Sequence, residues 1–182
     1  GIGQFVWSPE CTEVRAEPYQ VVLRAEDNSG QVQLMDLETF KIRVVAPGAV
    51  LTGAEAVGNS VILSWNSHEC TEELPSWKAS GGSYQIYRRV DSLIWTPNLC
   101  ETGIPDDYEY TLIGTVEGLY NTTFIDEDLL SFGATYCYRV VTKWPGSGES
   151  KTSNEVCATI RKDVPVITRA SVEATDEASG AV

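Results

Sequence analysis

Five cysteines, one histidine, a few paired carboxylates and a scatter of tryptophans are the residues of this 182-residue chain that could do chemistry. Cys11, Cys70, Cys100, Cys137 and Cys157 show no CxxC or CxxxH spacing of the kind a zinc site needs. Disulfides fit better, because four of the five fall in one stretch after residue 48 and form an even set. Pairing Cys70 with Cys100 and Cys137 with Cys157 closes loops of about 30 and 20 residues, each worth roughly 3 to 4 kcal/mol on the chain-entropy model. Buried free thiols are the other reading. His68 could serve a Ser-His-Asp or Cys-His site only by being the base itself, and it falls in a mobile-looking loop, Asn66-Ser67-His68-Glu69. Asp106/Asp107 and Asp126/Asp128 could be the two carboxylates of a glycosidase, but a small sandwich has no deep cleft to raise one pKa, so solvated turn residues fit them better. Trp77, Trp95 and Trp144 fall outside the core alternation. They either stack on sugar rings or, for Trp77 and Trp95, form a small core pinning two long loops; Trp144, beside Pro145, is expected to be exposed.

The elements that must position these residues are strands. Helical periodicity is nearly absent, whereas period-two alternation recurs throughout. Tyr19, Val21, Leu23 and Ala25 share one strand face, Asp27-Asn28-Ser29-Gly30 turns the chain, and Phe40, Ile42 and Val44 line a second strand. Residues 1–47 hold three or four strands at most, too few to close a sandwich, so the unit reads as part of one whose open edges must dock or pair. A full set of seven follows: Leu51 to Ala56, Val61-Leu63-Trp65, Tyr84 and Ile86, Tyr110 to Val116, Thr122 to Ile125, Tyr136 to Thr142, and Asn154 to Ile160. Two loops are long, Asn66 to Ser83 and Val90 to Glu109. The run Leu130-Ser131-Phe132-Gly133-Ala134-Thr135-Tyr136 has the pattern of a tyrosine corner, with the hydroxyl returned to the backbone upstream. Trp65, Tyr84, Ile86, Tyr136 and Tyr138 are the expected core. After Arg161 a new run, Val164-Pro165-Val166-Ile167-Thr168, opens a further unit.

Twenty-six acidic against 13 basic side chains give a net charge of −13, which repels phosphate backbones and anionic membranes and makes nucleic acid a poor partner. No run of eighteen apolar residues exists to insert into a bilayer.

Asn59-Ser60-Val61-Ile62-Leu63-Ser64-Trp65, Tyr84-Gln85-Ile86-Tyr87-Arg88-Arg89, Tyr136-Cys137-Tyr138-Arg139-Val140 and Ser153-Asn154-Glu155 together resemble a fibronectin type III domain. Phe5-Val6-Trp7-Ser8-Pro9-Glu10-Cys11 with Pro18 to Asp27 resembles the last third of a cadherin-like or polycystic-kidney-disease-type Ig-like repeat. The combination resembles large surface proteins of gliding Bacteroidetes exported by a type IX system. The resemblance implies an all-β, immunoglobulin-like sandwich over 48–162, the C-terminal part of a second β-sandwich at 1–47, and a linker with the start of another domain at 163–182. It implies no catalytic residue. Asp27 stands where the Ala-x-Asp aspartate of a cadherin repeat ligates calcium, with Glu26 and Asn28 beside it; a plain turn is the alternative, and no other cofactor is implied. Asp91-Ser92-Leu93 resembles the O-glycosylation sequence of that bacterial group, and Asn121-Thr122-Thr123 fits an N-glycosylation pattern. The functional expectation is a non-enzymatic extracellular or cell-surface spacer and adhesion module, partnered by neighbouring domains of its parent chain and by glycans or other surface proteins. The alternative is a carbohydrate-binding module of a secreted polysaccharide-degrading enzyme.

Overall fold

A computed structural model describes residues 3–27, 30, 34–128, 130–144, 148–162, 174–175 and 180–181, with the side chains of Trp77 and Lys78 outside the description. In chain order the strands are β1 (Tyr19–Glu26), β2 (Met35–Ile42), β3 (Leu51–Val57), β4 (Ser60–Trp65), β5 (Ser83–Val90), β6 (Thr111–Glu117), β7 (Thr123–Asp126), β8 (Thr135–Lys143), β9 (Glu149–Thr152) and β10 (Val156–Thr159). A two-residue pair, β11 (Ala174–Thr175) with β12 (Gly180–Ala181), lies near the C-terminus. The expected run Val164 to Thr168 and the linker Asp163-Val164-Pro165 lie outside the described residues.

Two antiparallel sheets face each other. One is β3-β4-β7; the other runs β10-β8-β5-β6, with β9 also pairing β8. This is an all-β, immunoglobulin-like sandwich, and its strands match the expected set, with β9 an additional short strand ahead of the last. Ser153 stands between β9 and β10: its hydroxyl accepts the Val140 N–H at 2.8 Å, while its own N–H donates to the Val140 carbonyl at 2.9 Å. The adjacent Asn154 side chain turns the other way and bonds both the N–H and the carbonyl of Leu51, at 2.9 and 3.0 Å. One amide thus stands in for a strand partner between the two sheets.

The core follows the period of two. Val61, Leu63 and Trp65 of β4 meet Tyr84 and Ile86 of β5 and Tyr136, Tyr138 and Val140 of β8, all buried. Trp65 and Tyr84 pack edge to face with ring centroids 5.3 Å apart. The tyrosine corner is present. Leu130 is buried, Gly133 takes a positive φ of 86° that a side chain would strain, and the Tyr136 hydroxyl accepts the Ser131 N–H at 3.0 Å.

The acidic corner departs from expectation. Asp126 is 2% exposed rather than solvated. Its carboxylate accepts the Arg88 guanidinium at 2.9 Å on both oxygens and the Tyr138 hydroxyl at 2.9 Å, so β7 of one sheet is tied to β5 and β8 of the other. Burial alone would lower the Arg88 pKa, but the Asp126 carboxylate outweighs it and raises it. Asp128, beside it, is exposed and adds a longer contact to Arg88 at 3.3 Å.

The first long loop carries the six-residue helix α1 (Ser76–Gly81), too short to leave a periodic trace in the sequence. It is fixed by Ala79, which is buried and whose carbonyl accepts the Leu119 N–H at 2.9 Å. Ahead of the sandwich, residues 3–47 contribute one hairpin, β1–β2, in continuous register from Tyr19↔Ile42 to Glu26↔Met35. Among the described residues these are two strands against the three or four expected, and Val44 falls beyond the second.

Candidate functional site

Two places gather the functional side chains: the junction where the N-terminal segment meets the sandwich, and the outer face of β8 beneath the second long loop.

At the junction, Cys11 is bonded to Cys70, with Cα atoms 5.4 Å apart. This corrects the expected Cys70–Cys100 pair. Cys70 sits in a 3-10 turn, Glu69–Thr71, and is buried, facing the end of the core where Cys11 and Val14 pack. Cys100 is an exposed free thiol. The loop that carries it does fold back along the sheet, as the pairing would have required, but it is anchored elsewhere: the Gly103 N–H donates to the Ser150 carbonyl at 3.1 Å.

His68 is a buried keystone, 3% exposed, not a mobile loop residue. Its Nε2 donates to the Pro47 carbonyl at 2.7 Å and its Nδ1 accepts the Cys70 N–H at 3.1 Å, which fixes a neutral tautomer. Its own N–H donates to the Tyr84 hydroxyl at 3.1 Å, which donates onward to the Leu119 carbonyl at 3.0 Å. Burial chiefly lowers the imidazole pKa, partly offset by the Pro47 bond and the Glu69 charge. Trp144, expected to be exposed, is 5% exposed and packs edge to face on His68 at 4.9 Å. Its backbone N–H donates to the Gly148 carbonyl at 2.9 Å. The linker is equally close-packed. Ala46 and Ala49 are buried, the Lys151 N–H donates to the Ala46 carbonyl at 3.0 Å, and a Cβ on Gly48 would lie 2.4 Å from the Thr152 carbonyl oxygen.

On the outer face, the Glu155 carboxylate collects the Ser92 hydroxyl at 2.6 Å, the Leu93 N–H at 3.1 Å and the Tyr110 hydroxyl. Arg139, buried, donates to the Tyr110 hydroxyl at 3.1 Å and to the carbonyls of Ser153 and Trp95 at 2.8 and 3.3 Å. Burial would raise the Glu155 carboxyl, but the bonds from Ser92, Tyr110 and Leu93 with the Arg139 charge hold it below its ordinary value. Burial, with the bond to Glu155, pushes the Tyr110 hydroxyl up to about 12. Trp95 is half-buried, 4.5 Å from Tyr108 and 5.0 Å from the Arg139 guanidinium. Ser92, the residue of the O-glycosylation resemblance, has its hydroxyl engaged here. Of the three tryptophans, Trp95 alone presents a described and partly open ring; Trp77 lies in α1.

Cys137 and Cys157 are directly opposed on β8 and β10 and form the expected disulfide, Cα atoms 4.1 Å apart. Their sulfurs and a Glu155 oxygen lie within 4.8 Å of one another, but a disulfide offers no thiolate to a metal. The Asp27 carboxylate accepts the Leu34 N–H at 2.9 Å, pinning the end of the β1–β2 hairpin; Asn28 lies outside the described residues. Arg139, Tyr110 and Glu155 were missed in the sequence. Cys137 and Val141 were the available signal, since apolar residues at outward positions of a strand require a second cover.

No family model matches the chain, and no curated protein matches it. Solved structures that resemble it include a β-1,2-glucanase from Parabacteroides distasonis, with 19% identity over 76% of this chain and 17% of that one, TM-score 0.42. A twitchin kinase region from C. elegans has 16% identity over 69% and 18%, TM-score 0.46. A structure described as a myokine has 14% identity over 64% and 99%, TM-score 0.41. The chain thus spans under a fifth of the length of the first two. Among the described residues no helix is long and apolar enough to cross a membrane.

Proposed function

We propose that this chain is a non-enzymatic spacer and adhesion module of a larger cell-surface or secreted protein, built on a fibronectin type III-like domain. The observation that carries the reading is the Cys11–Cys70 bond. It joins the segment ahead of the sandwich to the sandwich itself, across a linker already held by His68 and Lys151. A pull on the N-terminal side is then transmitted through a covalent link into the folded core, and residues 12–69, between the two cysteines, are shielded from extension. Two disulfides suit an oxidising compartment. The strongest ionisable groups are also engaged in holding the fold: His68 by Pro47 and Cys70, Asp126 by Arg88 and Tyr138, Glu155 by three donors.

An immunoblot of source cells before and after external protease treatment tests this. A band well above 19.9 kDa that disappears on treatment supports a surface-exposed modular parent. A protease-resistant band at that mass rejects it.

The half-buried Trp95, backed by Tyr108 and Arg139, favours a second reading, a carbohydrate-binding module. Soluble glycans would then quench tryptophan emission, and Trp95→Ala would abolish the quenching. No change with any glycan removes this reading and leaves the first untouched.

A further inference from the structure

Among the strands whose burial is described, β1 and β2 are the least covered. Val22 is 58% exposed, Leu23 44% and Phe40 47%, and Leu37 and Met35 are as open. A two-stranded ribbon is only marginally stable in water, and a third strand is the ordinary remedy. Among the described residues, β1 has β2 on one edge and no backbone partner on the other.

The side chains of β1 say which strand fits. Read outward from Val22, the first flanking pair is alike, Val21 and Leu23, and the next two pairs, Gln20 with Arg24 and Tyr19 with Ala25, differ but bring no two like charges together. An antiparallel pairing of β1 with its own copy about a two-fold axis at Val22 therefore sets Val22 against Val22, Val21 against Leu23, and Gln20 against Arg24. No like charges meet. The charges on β1 are already neutralised within the strand, Arg24 being ion-paired with Glu26, which matters on a chain of net charge −13. The edge of β2 behaves oppositely. An axis at Leu37 opposes Asp36 to Glu38, one at Glu38 opposes Glu38 to itself, and one at Thr39 sets Glu38 against Phe40.

We propose that β1 is a self-association edge, pairing with β1 of a second copy to give a four-stranded sheet in the order β2-β1-β1-β2. One face of that sheet runs Phe40, Val21, then Leu23 and Glu38 of the second copy, by the register of the hairpin. Val21, Leu23 and Phe40 of the two hairpins meet on that face, while Val22, Leu37 and Met35 lie on the other.

Sedimentation of the full chain, carrying Cys100→Ser so that the free thiol cannot link copies, measures the association. The expected mass doubles from 19.9 kDa at protein concentrations up to about 100 μM. Val22→Lys and Val22→Glu each abolish the doubling, and an equimolar mixture of the two restores it. Val22→Cys cross-links under mild oxidation, because directly opposed residues lie within disulfide reach, whereas Gln20→Cys, which faces Arg24, does not. A chain that stays at 19.9 kDa throughout, or one that cross-links equally at both positions, overturns the proposal.

Discussion

Strands β1 and β8 are nearly equal in length and both alternate large side chains, yet they live in different environments. Every residue of β8 from Tyr136 to Thr142 is buried, whereas in β1 only Tyr19 and Val21 are even partly covered. The cause is layers, not composition. β8 has the opposite sheet on one face and the second long loop on the other, clasped there by Glu155 and Arg139. Among the described residues β1 has one strand neighbour, β2. A strand's own sequence sets which residues share a face; what covers that face is decided by chain that can be a hundred residues away, as Asn154 is from Leu51.

The contrast can be broken most forcefully by truncation. Trp65→Ala in the core should lower unfolding free energy by about 3 to 5 kcal/mol, while Phe40→Ala in the hairpin should change it by under about 1 kcal/mol, both read from denaturant melts. Equal losses would show that the hairpin is as integral as the sandwich. The link between the regions comes next. Replacing Cys11 and Cys70 together by alanine should remove up to about 4 kcal/mol on the chain-entropy model and raise amide exchange through residues 12–47; unchanged exchange would mean that the linker alone sets the junction. Within the sandwich, Asp126→Ala strands the Arg88 charge and the Tyr138 hydroxyl, with an expected loss of about 2 to 4 kcal/mol. Tyr136→Phe, which removes only the bond from the Ser131 N–H, should cost about 1 kcal/mol.

Acid gives the gentlest probe, and it acts on both sites at different pH. His68 has a folded-state pKa below its ordinary 6.5, so the unfolded chain binds the proton more readily. Its contribution is present above pH 6.5 and is lost as pH falls through the lower folded value. Glu155 is likewise held below its ordinary 4.5, so the loop clasp weakens only in a second, more acidic window. His68→Gln should flatten the first decline in melting temperature and leave the second. A single merged decline, unaffected by that change, would contradict the assignment.

Much of the sandwich was legible because its signals are local. The alternation in β4, β5 and β8 and the Leu130 to Tyr136 spacing each specify a face or a turn within a few residues. The sites were less so, since they depend on where loops travel. Cys70 and Cys100 are both in long loops and close in sequence, but the loop of Cys100 runs along β9 through Gly103 while Cys70 turns into the core toward Cys11. Trp144 and Asp126 sit at turns, where polar or exposed residues are usual, and are buried by partners distant in the chain: His68 for one, Arg88 for the other.

Mapping of disulfides in protein taken from its source, alkylated at the moment of lysis, tests the central claim most directly. The expected peptides join Cys11 to Cys70 and Cys137 to Cys157, with the alkyl label on Cys100 alone. A Cys70–Cys100 peptide would contradict the covalent junction on which the spacer reading depends, and label on all five cysteines would contradict the oxidising compartment as well.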